Sequence, residues 1–262
     1  MSIEKFNSNF CYIILIAIIL FFCGSIGNRK FELIKEIKLF NGNIKSIKAY
    51  KQYVYILTDN KIIRINGDIT EFGRFGMEED EFVNPIEINI YKGKIYVLDK
   101  GAKKIKIFDK CGNYIKSFSI DEDDPISMAI DNGKIFVLDK FNYNINIYSN
   151  RGKYCFSIFK NVDGLINNLV SIDVNNGNVY IAGENKIYIF SEYGDYIRKI
   201  DIKGCKSISV SKFIAITGNK KVKIFDENLT NICNFKSNCS TITDNKLYTI
   251  FNDTLKIYKL SN

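Results

Sequence analysis

Histidine and tryptophan are absent from this chain of 262 residues, and proline occurs only twice. The missing histidine removes the commonest general base and the commonest zinc ligand. No GxSxG, HExxH or P-loop pattern takes its place. Negative charge is the scarcer sign: 29 acidic against 37 basic residues leave a formal charge of +8. Glu4 and Lys5 cancel, so the chain beyond residue 22 carries the whole excess. That balance permits attraction to acidic surfaces, and it equally describes a solvated coat on a soluble domain. Tyrosine and phenylalanine, by contrast, are plentiful, at 16 and 20.

One long apolar run stands apart at the N-terminus. Lys5 is followed by FNSNF and then by CYIILIAIILFFC, residues 11–23, with no further charge until Arg29. A core this short after a basic residue fits a signal-peptide h-region of about 7–15 residues, whereas a spanning helix needs about 20. The end of the run, LFFCGS, resembles the bacterial lipoprotein signal, in which a leucine precedes a lipidated cysteine by three residues. Leu20 and Cys23 match that pattern, Gly24 and Ser25 are a usual sequel, and Phe22 departs from the small residue expected there. The resemblance implies lipidation at Cys23 and an exported, membrane-anchored protein. An uncleaved anchor over residues 10–26 and ordinary cleavage after Gly27 stay open. Residues 1–23 are therefore read as signal peptide or anchor, and 31–262 as a separate folded unit.

The folded unit repeats itself. KGKIYVLDKGAKKIKIFDKCGNYI begins at Lys92, and NGKIFVLDKFNYNINIYSNRGKYC begins at Asn132. Aligned on the aromatic of this strand, Tyr55, Tyr96, Phe136, Tyr180, Ala215 and Tyr248 fall 41, 40, 44, 35 and 33 residues apart. A period of about 40 residues points to a solenoid or propeller. Each unit holds four alternating runs of four to seven residues rich in Ile, Val, Tyr and Phe, such as PIEINI, KIYVLD, KIKIF and YIKSFSI. Period two with β-branched and aromatic residues is strand chemistry. Tight turns at Gly67, Gly112, Gly152 and Gly194 separate the third and fourth runs. Four strands per unit, repeated radially, describe a propeller blade.

The chain ends test the count. The sixth unit offers only three strands before Asn262, while residues 31–40, FELIKEIKLF, form an extra strand ahead of the first unit. The extra strand can complete the sixth blade and remove an open edge. The expected fold is all-β: a six-bladed β-propeller of four-stranded antiparallel blades, closed by an N-terminal strand.

Residues 72–118 resemble an NHL repeat through Phe82, Pro85, Asp99, Ile105, Phe108, Asp109 and Gly112, and the next unit does so through Pro125, Asp139 and Gly152. Units four to six drift from the pattern. The resemblance implies a six-bladed propeller like those of NHL proteins and bacterial surface lipoproteins. It implies no single activity, because propellers host many. Related six-bladed families include calcium-dependent lactonases and a metal-dependent amidating lyase, which place their ligands at the channel mouth. The inner strands here offer Glu87, Asn89 and Asp173, too few for the roughly six oxygens a hard cation requires. They are read as solvating the channel, and no metal or other cofactor is expected.

Two acidic clusters, EEDE at 78–81 and DEDD at 121–124, are read as solvated loop charge, with a cationic-partner or calcium patch as the alternative. Five cysteines follow Cys23; most are read as small core fillers, with Cys205 and Cys239 as the best candidate for a bridge. The partner-binding expectation falls on the turns DKGAKK and DKFNYN, where Lys100, Lys103, Lys140, Phe141 and Tyr143 gather on one sector. Phe141 and Tyr143 could instead fill the cleft between blades. The sequence thus supports a monomeric, anchored, non-enzymatic propeller that binds a protein or glycan, and no nucleic acid. The alternative is a calcium-dependent hydrolase or lyase working at the channel mouth.

Overall fold

Alternating runs that are apolar on both sides need cover on both faces. The computed structural model supplies that cover by setting blade against blade. It describes residues 30–39, 42–158, 168–243 and 245–261, which form twenty-four strands and no helix. Strand β1 spans Lys30–Lys38. Blade one holds β2 (Ser46–Tyr50), β3 (Tyr53–Leu57), β4 (Ile62–Asn66) and β5 (Asp68–Phe72). Blade two holds β6 (Pro85–Tyr91), β7 (Lys94–Asp99), β8 (Lys104–Phe108) and β9 (Tyr114–Ser119). Blade three holds β10 (Pro125–Asp131), β11 (Lys134–Asp139), β12 (Asn144–Ser149) and β13 (Tyr154–Ile158). Blade four holds β14 (Leu169–Asn175), β15 (Asn178–Gly183), β16 (Lys186–Ser191) and β17 (Tyr196–Asp201). Blade five holds β18 (Ser207–Val210), β19 (Ile214–Gly218), β20 (Lys221–Phe225) and β21 (Asn231–Lys236). Blade six holds β22 (Cys239–Ile242), β23 (Lys246–Phe251) and β24 (Thr254–Ser261) from the C-terminus, with β1 as its fourth strand.

Each sheet is antiparallel, in the order inner to outer. The inner strands β2, β6, β10, β14, β18 and β22 adjoin in a closed ring around a central channel. Between each neighbouring pair of blades lies a separate apolar core. Tyr55, Phe82, Ile88 and Phe108 fill the cleft between blades one and two, and Phe136, Ile172, Val179 and Phe190 fill that between three and four. Second strands such as β7, β11 and β15 are buried along nearly their whole length, as a central strand covered on both faces must be. Gly67, Gly112, Gly152 and Gly194 all take positive φ at the turn into the outer strand, the region where glycine alone is unstrained.

The six-bladed architecture and its closure agree with the expectation from sequence. β1 pairs antiparallel with β24 from Lys30↔Ser261 to Lys38↔Thr254. Phe31 reaches beyond its own sheet. It is 5% exposed and stands edge-on to Phe213 and Phe235 of blade five, with ring centroids 6.0 and 6.3 Å apart. The N-terminal strand therefore completes blade six and seals it against blade five.

The cysteines depart from the expectation in part. Cys205 and Cys233 are buried, as core fillers should be, but Cys111 and Cys155 are exposed because they fall on a turn and an outer strand. Cys205 and Cys239 both carry free thiols and form no bridge. Cys23 and the rest of residues 1–29 lie outside the described residues.

Deleting residues 1–40 should lower the melting temperature sharply and promote association through the bared edge of β24. A truncated protein that stays monomeric and equally stable in sedimentation and thermal scans would overturn this account. Phe31→Ala alone should cost about 3 kcal/mol, the lower end for truncating a buried phenylalanine.

Candidate functional site

Two regions gather polar chemistry: the channel wall and the top face. The top face carries the loops from each outer strand to the next inner strand and the turns from second to third strands.

The channel wall is set by strand register. Ser46, Glu87, Ser127, Ser171, Ser207 and Cys239 occupy one level, each opposite the residue two beyond the repeat aromatic. The next level holds Lys48, Asn89, Ala129, Asp173, Ser209 and Thr241. Asn89 and Asp173 thus share a level, and Glu87 sits one step nearer the top. These groups tie blades together instead of merely solvating a pore. Glu87 accepts hydrogen bonds from the hydroxyls of Ser46 and Ser127, both at 3.0 Å, and so joins blades one, two and three. The Asn89 amide donates to the Met128 carbonyl at 2.6 Å. Asp173 accepts from the amides of Val174 and Val210 at 2.9 and 2.7 Å.

Lys48 is the member of this set that sequence reading missed, because it sits in a blade that lacks the repeat's proline and aspartate. It is half-buried, and its ammonium makes no hydrogen bond or ion pair with the described residues. Burial, the largest single influence, pulls its pKa down, yet the charges of Asp173 and then Glu87 carry it above the ordinary 10.5. Burial raises Glu87 and Asp173 above ordinary carboxyl values, with Lys48 opposing in each case. One cation serves two acids here, so the second carboxyl gains most from keeping its proton. Cys239 is pushed up to about 12, chiefly by burial, and stays a thiol. Among the described residues, no three or more His, Cys, Asp or Glu side chains are grouped to hold a metal ion.

On the top face the aspartate ending the second strand acts as a clasp. Asp99 accepts from the amides of Val83, Asn84 and Ala102, and Asp139 from those of Asp123, Asp124 and Phe141. Each buried carboxylate fixes both an incoming loop and the turn beside it. The five expected partner-binding residues lie on these clasped turns. Lys103, Lys140, Phe141 and Tyr143 are exposed; Phe141 is 70% and Tyr143 51% open to solvent. The two aromatics therefore do not fill the cleft between blades. Lys100 is half-buried and pairs with Asp124 across the blade boundary, so its charge is partly spent within the protein.

The acidic clusters are only partly solvated, a correction to the sequence reading. Glu81 is 7% exposed and binds Arg74 and the Glu78 amide, whose hydrogen bonds hold its carboxyl below the ordinary range. Glu122 is fully buried beside the Tyr148 hydroxyl, which donates to Oε1 at 3.0 Å, while Oε2 has no hydrogen-bond partner among the described residues. Burial raises its pKa.

Structural comparison places the chain among propellers of varied use. No family model and no curated protein matches the sequence. Virginiamycin B lyase from Staphylococcus aureus superimposes with a TM-score of 0.63 at 16% identity, over 88% of this chain and 100% of that one. A chain of the mitotic checkpoint complex gives a TM-score of 0.63 at 8% identity, covering 93% and 100%. BamB from Moraxella catarrhalis gives 0.54 at 12%, covering 88% and 100%. At these identities the likeness establishes the fold alone.

Two outcomes follow from the buried charges. Lys48→Met should destabilise the fold by up to about 3 kcal/mol at pH 8, and by progressively less as the pH falls and Glu87 and Asp173, whose carboxyl pKa values burial raises, take up protons. A loss independent of pH in thermal scans would sink this view of the triad. Glu122 binds its proton more tightly folded than unfolded, so its contribution weakens as pH rises above the ordinary 4.5. Glu122→Gln should accordingly match the wild type near pH 4 and gain relative stability toward pH 8.

Proposed function

We propose that this chain is an exported, membrane-anchored propeller of NHL type that binds a protein or glycan partner on its top face and performs no chemistry. The observation that carries this reading is the turn at 139–143. Asp139 clamps it rigidly, yet Phe141 and Tyr143 project into solvent. Rigid, exposed aromatics lose little entropy on docking and are favoured as interface anchors. Lys103 and Lys140 beside them supply charge for orientation.

The channel supports chemistry less well. The Glu87 and Asp173 carboxyls already accept bonds from serines and backbone amides that hold neighbouring blades together. The neighbouring Staphylococcus aureus lyase is known with quinupristin in a histidine-to-alanine form described as catalytically inactive. This chain has no histidine to play such a part. Other neighbours occur in protein assemblies, the mitotic checkpoint complex among them. Export and anchoring rest on the N-terminal apolar run with Leu20, Cys23, Gly24 and Ser25.

A glycan array and a protein pull-down with residues 30–262, which carry the twenty-four described strands, should yield a ligand. Phe141→Ala combined with Tyr143→Ala should then weaken it at least tenfold, about 1.4 kcal/mol, without loss of fold. Undiminished affinity in a folded double variant would move the site, most directly to the channel mouth. For the anchor, Cys23→Ala should leave the precursor unprocessed and abolish acyl labelling; a wild type that carries no lipid would favour the uncleaved anchor.

A further inference from the structure

The loop joining β5 to β6, residues 73–84, is built to a degree that its surface position does not require. The Phe82 amide donates to Arg74 O at 2.8 Å, and the Gly76 amide donates to Phe82 O at 3.1 Å. Arg74 pairs with Glu81 at 2.5 Å, and the other Glu81 oxygen accepts from the Glu78 amide at 2.9 Å. Lys106, 3% exposed on β8, points its ammonium into the loop and donates to the carbonyls of Glu78 and Glu81. Burial lowers its pKa, so the fold accepts an unfavourable lysine to hold this turn. Phe82 is fully buried and stands edge-on to Phe108. Gly73 and Gly76 leave room for these anchors. A Cβ on Gly73 would lie 2.3 Å from the Phe82 ring, and one on Gly76 would lie 1.9 Å from Glu81 Oε2.

This rigid loop holds its other large apolar side chains outward. Phe75 is 69% exposed and Met77 is 89% exposed. Between them and the buried Glu81 come Glu78, Glu79 and Asp80, all exposed and none in an ion pair among the described residues. With Arg74 and Glu81 cancelling, the loop's own residues carry three further negative charges, with the buried Lys106 ammonium beneath them, on a chain whose total is +8. An exposed phenylalanine and a pliant methionine offer apolar contact, and the acids decide what can approach. An acidic partner would be repelled at this loop; a basic one would be steered to it.

We infer that residues 75–80 dock a basic segment of a protein partner, one that buries an apolar side chain against Phe75 and Met77 while its lysines or arginines face Glu78, Glu79 and Asp80. The inference rests on the proposal that the top face binds a partner, and it names the chemistry of that partner. It adds a second contact on that face, on the loop entering blade two, apart from the turn at 139–143 in blade three.

The test uses the full-length chain and two fluorescent amphipathic dodecapeptides, one of leucine and lysine and one of leucine and glutamate. The lysine peptide should bind at least tenfold more tightly than the glutamate peptide, with affinity that falls as salt rises. Phe75→Ala with Met77→Ala should weaken it at least tenfold, and Glu78→Gln with Glu79→Gln and Asp80→Asn should do the same and flatten the salt dependence. These side chains are exposed, so unchanged melting temperatures should confirm that the variants fold. Failure of the lysine peptide to bind, equal binding of both peptides, or unchanged affinity in both variants would overturn the inference. Loss of binding only in the Phe141 and Tyr143 double variant would also overturn it while leaving the top-face reading intact. Sedimentation that shows a self-dimer dissolved by the Phe75 and Met77 changes would make a second copy the occupant and overturn it as well.

Discussion

Each inner strand has one edge that no sheet can pair, and the fold depends on how that edge is satisfied. Unmet backbone amides in a narrow channel are costly. Here the preceding blade supplies acceptors. Ser127 takes the Ile172 amide, Ser171 the Ile208 amide, Asp173 the Val210 amide and Ser209 the Ile242 amide. Glu87 links Ser46 to Ser127 on the other half of the ring. The channel is therefore a belt of side-chain-to-backbone bonds that fixes each blade against the next. Its small hydroxyl residues are there because only short polar side chains can reach a neighbour's amide at that radius.

That belt can exist only if the ring closes. The chain's ends meet in one blade, with β1 hydrogen-bonded to β24 and Phe31 inserted beside Phe213 and Phe235. The six apolar cores then share one continuous circuit, since every blade is the wall of two of them. A break at one cleft removes cover from strands that are apolar on both faces.

The same division of labour separates stability from recognition. Carboxylates at the axis and at the clasps are consumed by internal bonds: Glu87, Asp99, Asp139 and Asp173 all serve the backbone or neighbouring serines. Some of the apolar groups left facing solvent, Phe75, Met77, Phe141 and Tyr143, sit on the loops those clasps hold. Rigid support beneath exposed apolar residues suits binding, because ordering costs are met during folding and not on contact.

How much of this was legible in the sequence differs by level. Blade number, strand order and the closing strand could all be read, because strand period, turn glycines and a spacing of about 40 residues are local or simply periodic signals. The clasp aspartates were visible as matched positions, but not as acceptors of amides from the preceding loop. Lys48 and the inner serines carried no signal, since what makes them matter is a neighbour about 40 residues away in the adjoining blade. The acidic clusters misled for a related reason. Composition treats EEDE and DEDD alike as loop charge, yet the Glu81 and Glu122 side chains are buried, the first bonded to the Glu78 amide and Arg74 and the second to the Tyr148 hydroxyl. The sequence by itself determined the architecture, because repeated alternation admits few arrangements that cover both faces of every strand. Only the tertiary structure decided which charges are buried and which apolar side chains remain in water, because burial depends on the neighbouring blade and not on the repeat itself.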